Sequence, residues 1–215
     1  MAIAALFQIS VDELLSNEKS EKKQSDYIYE SRTEYDIDGK KNFDIKLGGA
    51  YAVDLKAYHG EKIEVAMFSN VYKNLLADYK VKIDDIKKRI DIDLNRFNEA
   101  SEADAKESLV ITIFIPVKYI GKIELSVNAG TLNITDIENE HIEVNGKISE
   151  VTLQGNKSEI EIDSNLDMQI SVLSHEGALE INQLSATSRL TIPADYRFRS
   201  TKKGIATHIY YERQG

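Results

Sequence analysis

Between Lys122 and Leu184 the chain repeats itself, and that repetition restricts its possible folds more than any other feature. The stretch contains IELSVNAGTLNITDI, then IEVNGKISEVTLQG, IEIDSNLDMQISV and GALEINQL. Apolar pairs in strand-type alternation begin at Ile123, Leu132, Ile142, Val151, Ile160, Ile170 and Leu179. The residues between them are rich in Gly, Asn, Ser and Asp, the chemistry of turns. A shift of 28 residues lays Ile123 on Val151, Leu125 on Leu153, Leu132 on Ile160 and Ile134 on Ile162. The same shift lays Ile142 on Ile170, Val144 on Val172, Val151 on Leu179 and Leu153 on Ile181. Every pair stays apolar. A fixed period of a few tens of residues, with about nine per strand, is the signature of a β-solenoid.

In a strand, successive side chains face opposite sides. Ile142 and Val144 therefore point inward while Glu143 and Asn145 face water. Stacked turns would place equivalent apolar residues in ladders, each Ile, Leu or Val contributing roughly 1.5–3 kcal/mol. The low aromatic content (8%, with no Trp) suits such ladders better than a core built on large rings. A 19-residue period, two strands per turn, also fits in places, but sets Ile142 on Glu161 unless one residue is dropped. The 28-residue period needs no such correction. The expectation is an all-β, right-handed β-solenoid with three strands per turn and a short helical N-terminal appendage. Gly130, Gly146, Gly155 and Gly177 are expected at corners, where a positive φ costs glycine least.

Upstream, Tyr35 and Ile37, Phe43 to Leu47, Tyr51 to Leu55 and Ile63 to Met67 continue the alternation, with turns at Gly39, Gly48-Gly49 and His59-Gly60. This half reads as a less regular part of the same coil. Strands are also expected over Tyr79–Ile83, Ile90–Leu94 and Leu109–Val117, the last with Pro116 at its end, where a lost donor is tolerable. Val71 to Leu76 reads as a loop or edge crossing. Asn95 to Ser108 has no strand period and reads as a protruding loop or a short helix. After Leu184 the register loosens. Pro193, Arg197, Arg199, Lys202 and Lys203 suit a capping turn, with HIYYER as a last strand over the end.

The first residues differ in kind. Ala2 to Phe7 is helix-forming, and Ser10 with Glu13 makes a capping box for a second helix. IAALFQISVDELL resembles the end of the helix-turn-helix domain of bacterial phage-repressor-like regulators through Ile3, Ala4, Phe7, Ile9, Ser10, Asp12, Glu13, Leu14 and Leu15. That resemblance implies a DNA-reading helix lying before Met1 and a cytoplasmic regulator. The domain division that follows is a helical remnant over 1–17, a charged linker and lead-in over 18–34, and the solenoid over 35–215.

A second resemblance covers much more of the chain. IFIPVKYIGKIELSVNAGTLNITDI resembles the putative-adhesin domain of bacterial proteins, carried by Pro116, Lys118, Ile123, Leu125, Gly130, Leu132, Ile134 and Ile137. Gly177, Leu179, Ile181 and Leu184 repeat its second half. It implies a right-handed solenoid and a non-enzymatic binding or scaffold role. Together the two resemblances lead to the sensing or oligomerising part of a regulator. The alternative is a cell-surface adhesin-like module that binds a polymer or an envelope component.

Composition narrows the chemistry. A net charge of −9 argues against binding nucleic-acid backbones over the bulk of the surface. The absence of Cys excludes disulfides and thiolate metal sites. No apolar run approaches the roughly 20 residues of a membrane-spanning helix. The N-terminus lacks a basic region followed by an apolar one, so no secretory signal is expected. His59, His141, His175 and His208 lie at or near turns or termini without metal-ligand spacing. Asp36/Asp38 and Asp91/Asp93 each put two carboxylates on one strand face. On a solenoid such pairs can hold calcium or cleave sugar polymers, but neither recurs at the 28-residue period. Gly48-Gly49 is a turn, not a phosphate loop, and the Asn133-Ile134-Thr135 glycosylation triplet is a chance match. No catalytic, cofactor or metal residue is assigned. The expected partners are a second copy of the chain, joined through the stripe Ile3, Leu6, Phe7, Leu14 and Leu15, and an unidentified protein or envelope ligand.

Overall fold

Alternation of inward apolar and outward polar residues builds thirteen strands in a computed structural model that describes residues 27–98, 100–202, 208 and 210. In chain order these are β1 (Tyr29–Asp36), β2 (Lys41–Tyr58), β3 (Lys62–Ser69), β4 (Tyr79–Ile86), β5 (Arg89–Arg96), β6 (Val110–Pro116) and β7 (Ile120–Thr135). They continue with β8 (Glu138–Gln154), β9 (Asn156–Asp163), β10 (Met168–Val172), β11 (His175–Glu176), β12 (Leu179–Asn182) and β13 (Ser188–Thr191). Two short helices interrupt them, α1 (Leu75–Asp78) and α2 (Glu102–Ser108). The helix-turn-helix-like residues 1–17, the charged residues 18–26, Lys203 and most of HIYYER lie outside the described residues. His208 and Tyr210 belong to no strand.

The repeat folds as a parallel ladder, but not with three strands per turn. Ile123 pairs with Ile142, Ile142 with Ile160, and Ile160 with Leu179. Leu132 pairs with Val151, Val151 with Ile170, and Ile170 with Leu190. Partners lie two limbs apart along the chain, so each step of the ladder holds two limbs. The dropped residue that the shorter period requires sits between Glu138 and His141, where the β8–β9 register slips. The longer period keeps apolar residues aligned because it spans one step and half of the next. It carries each residue to the opposite limb, where inward positions are also apolar. Periodicity of polarity cannot separate these cases, and pairing can.

β2, β7 and β8 serve both limbs because each bends midway. The first half of β8 pairs with β9 and its second half with β10. At the β8 bend Gly146 has φ +144°, and a Cβ there would lie 1.8 Å from the Val127 carbonyl oxygen. Only glycine fits this approach. Gly130, another expected corner, has no positive φ. Its requirement is the Tyr51 carbonyl oxygen, 2.9 Å from where a Cβ would stand. Inward residues of the first limb (Ile123, Leu125, Ile142, Val144, Ile160, Ile162) and of the second (Leu132, Ile134, Val151, Leu153, Ile170, Val172) are all buried in one core. Buried Asn156 closes the corner between the limbs. Its Nδ2 donates to the Ile134 carbonyl at 2.7 Å, and its Oδ1 accepts from the Ile137 amide at 3.0 Å.

The N-terminal half is not more of the same coil. β5 and β6 pair parallel to the far side of β2, but β4 runs antiparallel to β5, β3 to β6, and β1 to β3. The connections explain this. Only Lys87 and Lys88 separate β4 from β5, and a link that short permits an antiparallel hairpin and no parallel crossover. β2 lies between β6 and β7 in the sheet although β6 leads directly into β7 through a single 3-10 turn, Val117–Tyr119. The sheet does not close on itself. Among the described residues β1 and β4 bound it at one end and β12 and β13 at the other. Val71–Leu76 leads into α1. Within Asn95–Ser108, Ser101 caps α2 by accepting from the Asp104 amide at 3.1 Å.

Candidate binding surface

The two limbs present different outer faces. On the first limb the register aligns Asp84, Asp91, Asp44, Glu124, Glu143, Glu161 and Glu180, one from each of β4, β5, β2, β7, β8, β9 and β12. Adjacent strands are about 4.8 Å apart, so this is a line of carboxylates at strand spacing. Like charges directly opposite each other repel.

The repulsion is answered differently along the line. In its first part, cations two residues along the same strand, hence on the same face, pair with the acids. Arg89 Nε lies 2.6 Å from Asp91 Oδ1, Lys46 Nζ lies 2.8 Å from Asp44 Oδ2, and Lys82 pairs with Asp84. The hydrogen bond to Asp44 holds the Lys46 ammonium above the ordinary lysine value, and the bond to Asp84 does the same for Lys82. In the glutamate part neutral amides take that place. Asn145 Nδ2 donates to Glu143 Oε1 at 2.8 Å, and Asn182 Nδ2 donates to Glu161 Oε1 at 2.7 Å. His141 Nε2 stands 4.0 Å from Glu161 Oε2. Among the described residues no Lys or Arg pairs with Glu124 or Glu143, and Lys122 is turned to Glu140 at 3.1 Å.

The second limb's outer face carries few charges, and they are of both signs: Asp54, Lys56, Glu150 and Arg189. There the register aligns Thr112, Asp54, Asn133, Thr152, Ser171 and Thr191. The acid in this row is already engaged, since Asn133 Nδ2 donates to Asp54 Oδ1 at 2.6 Å. The glycosylation triplet therefore begins with a side chain bonded to its neighbour. α2 covers the Gly48-Gly49 corner between the limbs. Asn128 Nδ2 donates to Glu102 Oε1 at 2.8 Å, and a Cβ on Gly49 would meet Glu102 Cγ at 2.4 Å. That amide, aided by Lys106 and Arg96, holds the Glu102 carboxyl below the usual range.

The residues singled out from sequence fall in separate places. Asp91 and Asp93 share the first limb's outer face, and Asp91 belongs to the carboxylate line. Asp36 ends β1 and Asp38 lies in the following turn, both exposed, near Lys62 and Lys41 respectively. His59 and His208 are exposed, His141 lies within β8, and His175 is buried in β11. Among the described residues no three His, Asp or Glu side chains are grouped to hold a metal ion. The carboxylate line itself escapes the 28-residue reading, which sets Glu124 beside Thr152 and Glu143 beside Ser171. Glu124, Glu143, Glu161 and Glu180 recur only at the two-limb step.

No protein-family model matches the chain, and no curated protein matches it. Among solved structures, a putative cell adhesion protein from Clostridium sporogenes ATCC 15579 is similar over 77% of this chain and 99% of its own, with a TM-score of 0.51 at 9% identity. A putative adhesin from Parabacteroides merdae ATCC 43184 aligns over 76% of this chain and 95% of its own at 11% identity, with a TM-score of only 0.28. One from Bacteroides fragilis NCTC 9343 aligns over 77% and 96% at 13% identity, with a TM-score of 0.29. At such identities the first likeness concerns the fold.

Proposed function

We propose that the chain is a right-handed β-solenoid module of adhesin type, non-enzymatic and at the cell surface, that binds through the carboxylate line of its first limb. The parallel two-limb step supports the solenoid reading. The likeness to the putative cell adhesion protein from Clostridium sporogenes supports the adhesin reading over the regulator. The regulator reading rests on residues 1–17 and finds no support among the described residues, and the same holds for self-association through that segment. Among the described residues no helix is long and apolar enough to cross a membrane.

The observation that carries the binding surface is the pair Glu124 and Glu143, adjacent in register and, among the described residues, in no ion pair with Lys or Arg, the charge of Arg89 reaching Glu124 only at longer range. A ligand presenting positive charges along a line would relieve their repulsion, so the partner is a cationic polymer or a basic segment of an envelope protein. Retention on immobilised poly-L-lysine tests this, with the triple variant Glu124→Lys, Glu143→Lys, Glu161→Lys set against a charge-matched control, Glu34→Lys, Asp36→Lys, Asp38→Lys. The wild type and the control should bind alike, in a manner weakened by salt, and the first triple variant should not bind. Equal loss in both variants would reduce the effect to net charge and refute the surface.

A further inference from the structure

His175 sits where no function has been assigned to it. It opens β11 in the last step of the ladder, in register with Asn156 of β9, and is 7% exposed. Among the described residues neither ring nitrogen has a side-chain hydrogen-bond partner, and only the backbone at Ala178 and Asn156 lies within reach of the ring. The Tyr196 hydroxyl, from the segment that follows β13, donates to the His175 carbonyl and straps that segment onto the last step. Tyr196 and Ile192 also pack on the core there. The groups beside the imidazole are neutral: the backbone at Asn156 from β9 and at Ala178 from its own turn. The nearest charges in register are Glu176 and Lys157, paired one position along, and alternation turns both to the exposed side. No carboxylate is placed to receive a proton-bearing ring.

We infer that His175 is an acid-sensitive latch: protonation of its ring releases the last step of the ladder, residues 175–191 with the Tyr196 strap, while the rest of the sheet stays folded. Release would uncover Ile160, Ile162, Ile170 and Val172 and free the edges of β9 and β10, which are paired with β12 and β13 in the closed state. Unpaired edges take up other strands, so mild acid would exchange the short edges of β12 and β13 for the longer edges of β9 and β10, backed by a newly uncovered apolar face. Burial lowers the imidazole's proton affinity below the ordinary histidine value, and the backbone at Ala178 and Asn156 offsets only part of this. For a base depressed in the folded state, the opened state binds the proton more tightly. Stability of this step is therefore full above about pH 6.5 and falls as pH drops from there toward the folded value.

Hydrogen exchange of the full chain, read by mass spectrometry at pH 7.5 and 5.0 and corrected for intrinsic rates, tests the latch. Protection of peptides from 175–191 should fall about tenfold for each unit by which burial depresses the ring, while peptides of β7 and β8 hold. In His175→Gln the fall should vanish. Tyr196→Phe should lower protection by a similar factor at both pH values. If His175→Gln has already lost the last step at pH 7.5, the NMR titration of wild-type His175 decides, and a midpoint below the ordinary histidine value of about 6.5, with the backbone signals of 175–191 changing alongside it, upholds the latch. Protection that is unchanged by pH, or that falls equally in His175→Gln, overturns it, as does an ordinary midpoint for His175.

Discussion

Val144→Asp should abolish the native melting transition or lower its midpoint by about 10–20 °C, the shift expected for a loss of roughly 5 kcal/mol in a chain of this size. Val144 is fully buried, and its ladder neighbours are Leu125 and Ile162. An aspartate there has no donor within reach, and an unpaired charge in an apolar row is among the most costly single changes. Its neighbour Glu143 supplies the control. Glu143→Lys stands on the outer face between Glu124 and Glu161, so it removes like-charge repulsion. It should leave stability unchanged or raise it by up to about 1 kcal/mol. Thermal melts of both variants check the assignment, and equal midpoints would refute it.

Gly146→Ala should cost about 3 kcal/mol or more. Two independent penalties meet there: a backbone at φ +144° and a Cβ position 1.8 Å from the Val127 carbonyl oxygen. Neither strand can give way, because Val127 and Gly146 are register partners in the β7–β8 ladder. Gly39, with nothing within 4 Å of its Cβ position, is the matched control, and Gly39→Ala should melt with the wild type. Chemical denaturation with both midpoints measured separates the two cases. A Gly146→Ala protein as stable as Gly39→Ala would show that the limbs do not bend there.

How much of this is legible in the residues depends on what each signal encodes. Inward and outward positions follow from alternation alone, so Ile142, Val144 and their equivalents are placed correctly without any knowledge of pairing. The number of limbs per step is not, because hydrophobic periodicity records polarity and not neighbours. Any shift that carries inward positions onto inward positions leaves the same trace. The carboxylate line is hidden by the same ambiguity, and becomes visible once Glu124, Glu143 and Glu161 are read at the two-limb step. The antiparallel strands of the N-terminal half are written in their turns, above all the short link at Lys87-Lys88, more than in their strands. β2 lying between β6 and β7 leaves no local signal, since it joins segments that are far apart in the chain. His175 reads from sequence only as a residue near a turn. Tyr196, which straps its strand down, comes from beyond β13, and no spacing rule foretells that contact.

The lack of cysteine makes the two-limb step directly testable. Glu124 and Glu143 are register partners on the outer face of the first limb, with strand spacing inside the Cα separation that a disulfide spans. A three-strand turn would instead set Glu124 beside Thr152. Two double variants, Glu124→Cys with Glu143→Cys and Glu124→Cys with Thr152→Cys, should be oxidised under mild conditions and their free thiols counted. With two limbs per step, an intramolecular disulfide should form in the first and two free thiols should remain in the second. A disulfide in the second with free thiols in the first would mean three limbs per step.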